Sequence, residues 1–308
     1  MTTEDIALPE SDDLAAALLD LTVPHEDIGE LLALRGRMTA DPGLRRELAS
    51  AAERLVSAIG PIDGGWDAPL LDDPDRSDDR VVRYFPVYAL VATLPYIRAH
   101  HRGRSVPEAV SRHTLADLGR HMALHRRVRG TGGLAHPGWL VLHFRGELYQ
   151  LGRLQFQRSR LGERMGEGLR NLGEPYAPGD LTLDLHIPDF LGPLTPDACD
   201  RALAAADAFF ARCHPEETYT TATCHSWLLD PQLAGVLPEG SNIRRFQERF
   251  SVHSERTEPA DSSVVGFVFG DSGLAVDSLP RRTGLERAIG DHLRAGGHWY
   301  TGHGWFAR

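Results

Sequence analysis

The hydrophobic periodicity of the chain changes near residue 131, and this change limits the fold more than any other feature of the sequence. Before that point, apolar residues recur every three to four positions, as they do along one face of an α-helix. After it, several segments alternate apolar and polar residues, as strands with one buried face do. Helices followed by strands that alternate with helices are typical of the α+β class. We therefore predict an α+β protein with a helical N-terminal region.

Helix signals in the first half of the chain are clear. Asp41 followed by Pro42 is typical of an N-cap and the first helical residue, and the apolar stripe of residues 44–59 follows them. Residues 81–101 are the most apolar segment of this half and contain two prolines, so we expect a buried helix that is kinked or split. Residues 106–127 are predicted to form one amphipathic helix.

Strand signals begin with a hairpin at residues 139–157. Residues 139–144 (WLVLHF) and 147–157 (ELYQLGRLQFQ) flank Arg145 and Gly146, which are predicted to form its two-residue connection. We expect this hairpin to complete the sheet of the domain that follows. Further strands are predicted at residues 180–187, 219–229, 251–257 and 263–269. Helices are predicted from Thr195, as N-cap, to residue 213 and over residues 285–295.

Composition excludes several classes of enzyme. All 33 basic residues of the 308-residue chain are arginine, and there is no lysine. Schiff-base enzymes, enzymes that hold pyridoxal phosphate through lysine, Ser-Lys hydrolases, P-loop NTPases and protein kinases all need a lysine amine. The formal net charge of −10 opposes binding to a phosphate backbone, so no nucleic-acid partner is expected.

Neither a metal site nor a membrane segment is indicated by the sequence. The three cysteines include no C-x-x-C pair, and the 15 histidines show no metalloprotease or deaminase spacing, so no metal is expected. The N-terminus has no signal-peptide pattern and no run of about 18 apolar residues occurs. A cytoplasmic protein without a membrane partner is the expectation, and the sequence does not indicate an oligomeric state.

One strand–turn–helix unit can receive an anion without lysine. The first backbone N–H groups of a helix are free, and the helix dipole is positive at that end. The turn at residues 191–195 (LGPLT), between the strand at 180–187 and the helix that Thr195 caps, is the best such site in the chain.

Several motifs carry a resemblance to a known family. These are residues 142–156 (LHFRGELYQLGRLQF), His186-Ile187-Pro188, residues 224–231 (CHSWLLDP) and residues 241–250 (SNIRRFQERF). In this order they resemble bacterial, largely actinobacterial, acyltransferases with an N-acyltransferase N-terminal domain and a GNAT-like C-terminal domain. The motifs cover most of residues 139–250, and the resemblance of residues 25–135 is more general.

The resemblance implies a mixed, splayed sheet that holds acyl-CoA. Residues 1–158 would form the mainly helical N-terminal region and 159–308 the GNAT-like domain. Acetyl-CoA is the expected donor, and a small-molecule amine is the expected acceptor. The donor would lie along residues 181–187, which would be the central strand. The cofactor-binding residues are predicted to be Ile187, Leu191, Gly192, Leu194 and Thr195. The usual Q/R-x-x-G-x-G/A loop is replaced by DFLGPLTPD.

Direct acyl transfer needs a base for the amine and an acid for the leaving thiolate. His186 is the predicted base, because imidazole titrates near neutral pH and this histidine ends the central strand. Asp184 lies two residues earlier, so it shares a face with His186 and would orient the ring or simply face solvent. Ser226 and Asn242 are the candidate proton donors, although each is also a candidate helix-capping or structural residue.

Four further residues are candidates for substrate binding. Tyr149 and Gln155 lie on the predicted hairpin, and Cys224 and Trp227 lie on or after the strand at 219–229. Cys224 is better interpreted as a small buried hydrophobe than as a nucleophile, and Trp227 as a core residue or a pocket wall. Two other functions stay open at this point. One is a GNAT-like binding or regulatory module without catalysis, and the other is a hydrolase that uses Cys224 or Ser226.

Overall fold

A computed structural model describes residues 7–62, 71, 79–134, 136–253 and 259–308. The chain divides into two compact units, residues 1–150 and 151–308. Most of the acidic loop at 61–80 lies outside the described residues, as do residues 254–257 of the strand predicted at 251–257. The domain division at residue 158 stays a prediction.

The first unit is helical, as predicted. Its described helices are α1 (Ser11–Asp20), α2 (His25–Ala40), α3 (Pro42–Ser57), α4 (Arg80–Gly103), α5 (Glu108–Leu115), α6 (Asp117–Arg129) and α7 (Pro137–Phe144). Asp41 caps α3 by accepting hydrogen bonds from the backbone N–H groups of Gly43 and Leu44, and Pro42 is the first helical residue, which confirms the sequence signal. The core of the unit forms around α4, most of whose residues are buried.

One helix prediction in this unit is made more specific, and another is wrong in its boundaries. Residues 81–101 lie in one continuous helix, α4, with Pro86 and Pro95 inside it, so the expected buried helix is present and is not split. The burial of most of its residues supplies contacts that compensate for the two missing N–H groups. The single helix predicted for 106–127 is instead α5 and α6, which part at Ala116. The carbonyl of Ala116 accepts a hydrogen bond from the Thr22 hydroxyl at 3.1 Å.

The second unit contains most of a mixed six-stranded sheet. Its strands are β1 (Leu148–Leu151), which begins in the first unit, β2 (Leu154–Arg160), β3 (Leu181–His186), β4 (Thr221–Ser226), β5 (Ser251–His253) and β6 (Gly302–Ala307). The order across the sheet is β1-β2-β3-β4-β6-β5. β3 and β4 are parallel, whereas the pairs β2–β3, β4–β6 and β5–β6 are antiparallel. This architecture confirms the predicted α+β, GNAT-like fold.

Helices connect these strands. They are α8 (Glu163–Asn171), α9 (Pro196–Cys213), α10 (Leu233–Val236), α11 (Asn242–Gln247), α12 (Asp261–Phe269) and α13 (Gly284–Arg294). As predicted, Thr195 caps α9, with its hydroxyl accepting from the N–H of Ala198 at 3.3 Å, and Pro196 is the first helical residue.

Two apolar runs predicted as strands are helices. Residues 139–144 belong to α7, so the predicted hairpin is shifted: β1 and β2 form it, and Gly152 and Arg153 are its turn. Residues 263–269 belong to α12, which Gly270 ends in the left-handed conformation at φ 85°. Both runs are apolar at nearly every position, so neither carries a period that distinguishes a strand from a buried helix.

The sequence analysis predicted no strand at β6, which lies near the end of the chain. Two glycines let it approach the segment that follows β4. A Cβ atom on Gly302 would lie 2.4 Å from the carbonyl oxygen of Leu229, and one on Gly304 would lie 2.8 Å from the Leu229 side chain. This close approach fixes the register of β6 against β4, from Ser226↔Gly302 to Thr221↔Ala307.

Candidate active site

The sheet opens between its two parallel strands. β3 and β4 are paired only through Thr182↔Thr221, Leu183↔Ala222 and Asp184↔Thr223. Beyond these pairs, β3 stays bonded to β2 up to His186, and β4 stays bonded to β6 up to Ser226. The C-terminal ends of β3 and β4 therefore have no ladder between them, which leaves a gap in the sheet beside the predicted central strand.

One face of the sheet is polar around this gap. Residues paired across strands share a face, and so do residues two apart along a strand. The register therefore places seven polar residues on one face: Gln155, Gln157, Asp184, His186, Thr223, His225 and His303. The opposite face carries Phe156, Leu183, Leu185, Ala222 and Cys224, all of which are buried. The side chains that can carry acid–base chemistry near the gap therefore lie on the first face.

His186 lies at the end of β3, where the gap begins. Its Nε2 atom is 2.9 Å from Oε1 of Gln157 and 3.8 Å from Oδ2 of Asp184. Both oxygens are acceptors, so they favour the tautomer in which Nε2 carries the hydrogen and Nδ1 carries the lone pair. Sequence alternation correctly placed Asp184 beside His186, while Gln157 was not predicted.

Asp184 is held largely out of water. Burial raises the pKa of its carboxyl above the ordinary value, and the nearby His186 ring and the hydrogen bond from Thr223 oppose that rise. The Thr223 hydroxyl donates to Oδ1 of Asp184 at 3.2 Å. A positive charge on His186 would pair with the Asp184 carboxylate and would oppose the effect of burial on it.

An apolar cleft of about 390 Å³ lies at the C-terminal end of β3. Its wall is formed by Arg153, Ile187, Asp189, Leu194, Leu228, Val236, Leu237, Pro238, Ser241, Asn242, Ile243, Phe267, Gly284 and Leu285. Val236 and Phe267 are 42% and 38% exposed, so the cleft wall presents two large apolar side chains to solvent. Such a surface favours an apolar ligand.

Arg153 holds the turn that joins β3 to α9. Its Nη1 donates to the carbonyl of Pro188 at 2.8 Å, and its Nε donates to that of Gly192 at 2.9 Å. Gly192 itself adopts φ 75°, which favours glycine. Burial lowers the pKa of the Arg153 guanidinium from its ordinary value, although arginine stays charged at any physiological pH. The hairpin turn thus places a cation in the cleft wall.

The predicted cofactor-binding residues fall into two groups. Ile187 and Leu194 line the cleft, and Gly192 contributes the carbonyl that Arg153 binds. Thr195 caps α9 with its side chain, and Leu191 is not among the residues that form the cleft wall. The structure therefore places Ile187, Gly192 and Leu194 at or beside the cleft, in the turn between β3 and α9.

Ser226 and Cys224 lie on the sheet face opposite to His186. The Ser226 hydroxyl accepts a hydrogen bond from the N–H of Leu228 at 3.1 Å. Cys224 has no exposed surface, and burial raises the pKa of its thiol well above the ordinary value. The structure therefore does not bring either side chain to the polar face that carries His186.

The other candidates are distributed between core and cleft. Asn242 lines the cleft, and the neighbouring Ser241 caps α11. Trp227 is buried and packs edge-to-face against Phe267, with ring centroids 5.6 Å apart. Gln155 is buried on the polar face, in register with His186. Tyr149 belongs to the first unit, where it is fully buried with its ring 5.5 Å from that of His101.

Among the described residues, one group has metal-ligating atoms close enough to share an ion: His214, Glu216 and Glu217. Glu217 is already neutralised there by two hydrogen bonds from Arg158 and one from Tyr219. An adjacent guanidinium opposes a cation, so this group is better explained as a structural network. A search of the described residues also finds no helix with the length and hydropathy needed to cross a bilayer.

Sequence reasoning missed Arg153 and Gln157. Each depends on strand register: Gln157 is paired with Asp184, and Arg153 reaches its carbonyls only because the hairpin turn is at Gly152-Arg153. The usable signal was the alternation of glutamines at 155 and 157, which puts two amides on one strand face.

Two family models together match most of the chain. Residues 12–146 match the N-acyltransferase N-terminal domain, and residues 148–306 match the GNAT-like C-terminal domain. No curated protein matches the chain.

Solved structures agree with this match. The chain is 35% identical to an acyltransferase crystallised with decanoyl-CoA and teicoplanin, with a TM-score of 0.84 over 99% of this chain and 91% of that one. It is 35% identical to a mutant acyltransferase crystallised with octanoyl-CoA, with a TM-score of 0.85 over the same 99% and 91%. It is 36% identical to an acyltransferase in complex with decanoyl-CoA, with a TM-score of 0.83 over 98% and 89%. The chain therefore belongs to the GNAT-like acyl-CoA-dependent acyltransferases that carry an N-acyltransferase N-terminal domain.

Proposed function

We propose that the enzyme transfers a medium-length acyl chain from CoA directly to the amine of a small-molecule acceptor, with His186 as general base. The observation that carries this proposal is the gap between β3 and β4, with His186 at its edge on the polar face. The ends of β3 and β4 are not paired with each other, and an extended thioester arm can form backbone hydrogen bonds along such a strand edge.

In this mechanism His186 removes a proton from the attacking amine. Nδ1 carries the lone pair, because Nε2 is engaged with Gln157 at 2.9 Å. As the imidazolium forms, Asp184 pairs with it and stabilises the charge, since the two side chains are already 3.8 Å apart. The amine nitrogen bonds to the thioester carbon, the C–S bond breaks, and an amide and a CoA thiolate result.

The apolar cleft supports a donor longer than acetyl. An acetyl group offers a single methyl to bury, whereas each further methylene buried contributes about 0.8 kcal/mol. A cleft of about 390 Å³ with Val236 and Phe267 exposed on its wall gains that energy only from a longer chain. Related acyltransferases with decanoyl-CoA or octanoyl-CoA bound agree with this choice.

The acceptor is proposed to be an amine-bearing small molecule. A related acyltransferase has been crystallised with teicoplanin, which supports a bulky acceptor of this kind. The polar face offers amide, carboxylate and imidazole groups near the gap, and these suit a hydrogen-bonding acceptor. A hydrolase that uses Cys224 is disfavoured, since its thiol is inaccessible and its pKa is raised.

The test combines donor binding with turnover. Isothermal titration of the full chain should show saturable binding of octanoyl-CoA, tighter than that of acetyl-CoA. His186→Gln should keep this affinity but lower kcat for acyl transfer by about 100-fold or more, the usual contribution of a general base. His298→Gln is the matched control, because His298 is exposed and pairs with Asp261 away from the sheet. If wild type does not bind octanoyl-CoA, or if His186→Gln keeps full activity, the proposal is refuted.

A further inference from the structure

A second pair of histidines lies on the same polar face as His186. His225 on β4 and His303 on β6 are paired in register, and their Nδ1 atoms are 2.6 Å apart. The two rings are tilted by 57°, with centroids 4.9 Å apart. His225 is exposed and His303 is partly exposed, so the pair is accessible from solvent. The function proposed above does not use it.

The short distance between the two nitrogen atoms limits the number of hydrogens that can lie between them. Two nitrogen atoms at 2.6 Å must share one hydrogen, so one ring donates and the other accepts. A second hydrogen between them would place two N–H bonds head to head, which excludes a doubly charged pair. A singly charged pair has no such conflict, because the charge strengthens the bond that the rings already make. The pair can therefore take up one additional proton, against the burial that lowers the pKa of His225 from its ordinary value.

The position of the pair is defined by the opening of the sheet. The last residues paired between β3 and β4 are Asp184 and Thr223. His186 and His225 each lie two residues beyond that pair, so they flank the gap at the same level and on the same face. A thioester that enters the gap would therefore have His186 on one side and His225 on the other.

We propose that the His225–His303 pair is the general acid of the reaction and protonates the departing CoA thiolate. This inference rests on the proposed function, since it needs acyl transfer through the gap. It also supplies the acid that the sequence assigned to Ser226 or Asn242. Ser226 lies on the other face and caps a turn, and an amide such as Asn242 can donate a hydrogen bond but cannot give up a proton to a thiolate.

The proton balance closes without another reactant. His186 gains the proton that the amine loses when the C–N bond forms. The electron pair of the breaking C–S bond goes to sulfur, which takes the proton of the charged His225–His303 pair. Transfer of a proton from His186 to the pair through solvent then restores both groups, leaving an amide and a CoA thiol.

The experiment is the pH profile of the acyl-transfer step, measured in single turnovers with octanoyl-CoA and an excess of enzyme. The titratable residues on the same sheet face are Asp184 and His186 on β3, and on β5 the backbone of His253 is paired in register with His303. A base and an acid together give a bell-shaped profile. We expect His225→Gln and His303→Gln each to lower the maximal rate by about 100-fold and to abolish the decline at high pH. His186→Gln should instead abolish the rise at low pH, and His298→Gln should change neither limb.

Each outcome decides between the two proposals. If His225→Gln and His303→Gln keep the wild-type rate, or lower it equally at every pH with both limbs retained, the pair is not the acid. That result leaves the assignment of His186 intact as long as His186→Gln removes the rise at low pH. If wild type transfers no acyl group at any pH, the proposed function itself fails. Denaturant unfolding of each variant, compared with wild type, shows whether the variant is folded. If His225→Gln or His303→Gln is unfolded, the experiment is repeated with His225→Asn or His303→Asn.

Discussion

Replacing Arg153 by alanine should weaken donor binding while leaving the sheet intact. Arg153 donates to the carbonyl of Pro188, which belongs to a buried residue, and to that of Gly192, which belongs to an exposed one. Hydrogen bonds from a charged donor contribute about 1.5–3 kcal/mol each where they are buried, and exposed ones contribute less because water replaces them. The turn should therefore lose about 2 kcal/mol of stabilisation.

If the turn must be ordered to bind the donor, that loss appears in the dissociation constant. Since about 1.4 kcal/mol corresponds to a factor of ten, octanoyl-CoA should bind Arg153→Ala about 30-fold more weakly. Arg153→Lys should recover part of the loss, because an ammonium can reach one carbonyl but not fork between two. Calorimetry measures the dissociation constants, and steady-state kinetics should show a raised KM for the donor with the KM for the acceptor unchanged.

Arg160 provides the matched control. It is the last residue of β2, the strand that follows the Arg153 turn, and its Nη1 donates to the carbonyl of Gly179 at 2.8 Å, in the turn that precedes β3. Arg160→Ala removes a comparable hydrogen bond at the opposite end of β3 and should change donor affinity by less than about twofold. Equal weakening in both variants, or wild-type affinity in Arg153→Ala, would refute the assignment of Arg153 to the donor site.

Two further predictions concern groups beside the gap. The pKa of Asp184 is raised by burial, so the charged carboxylate destabilises the folded state above that pKa and costs nothing below the ordinary pKa of about 3.9. Asp184→Asn should therefore raise the denaturation midpoint at about pH 7 and lose this advantage near about pH 3, as chemical denaturation at the two pH values would reveal. Cys224→Ala should retain acyl-transfer activity, and iodoacetamide should not label Cys224 in the native protein, because the thiol is buried with a raised pKa; rapid labelling would contradict both expectations.

The helices of the first half could largely be predicted, because capping residues and apolar stripes act over a few residues. Asp41 and Pro42 begin α3 for reasons that the local sequence contains in full. The runs WLVLHF and SVVGFVF could not be assigned in the same way. Both are apolar at nearly every position, and only the surrounding structure, which buries α7 almost completely, decides that they are helical.

In the candidate site, too, features within one strand could be predicted from the sequence, and contacts between strands could not. The alternation of residues 181–187 was sufficient to put Asp184 and His186 on one face, since it involves a single strand. The partners of His186 required knowledge of register between strands that are far apart in sequence. Gln157 reaches it from β2, and His225 meets His303 only because the glycines of β6 set that strand against β4.

The place where the ladder between β3 and β4 ends connects these observations. If the pairing continued for two more residues, backbone hydrogen bonds would close the gap, and His186 and His225 would become neighbours on an unbroken sheet. Because it ends at Asp184 and Thr223, two histidines with different partners are separated by a space. His186 lies beside an amide and a carboxylate, while His225 shares a hydrogen with a second imidazole. In the proposed mechanism, one break in the sheet thus both opens a site for a thioester and divides the acid from the base.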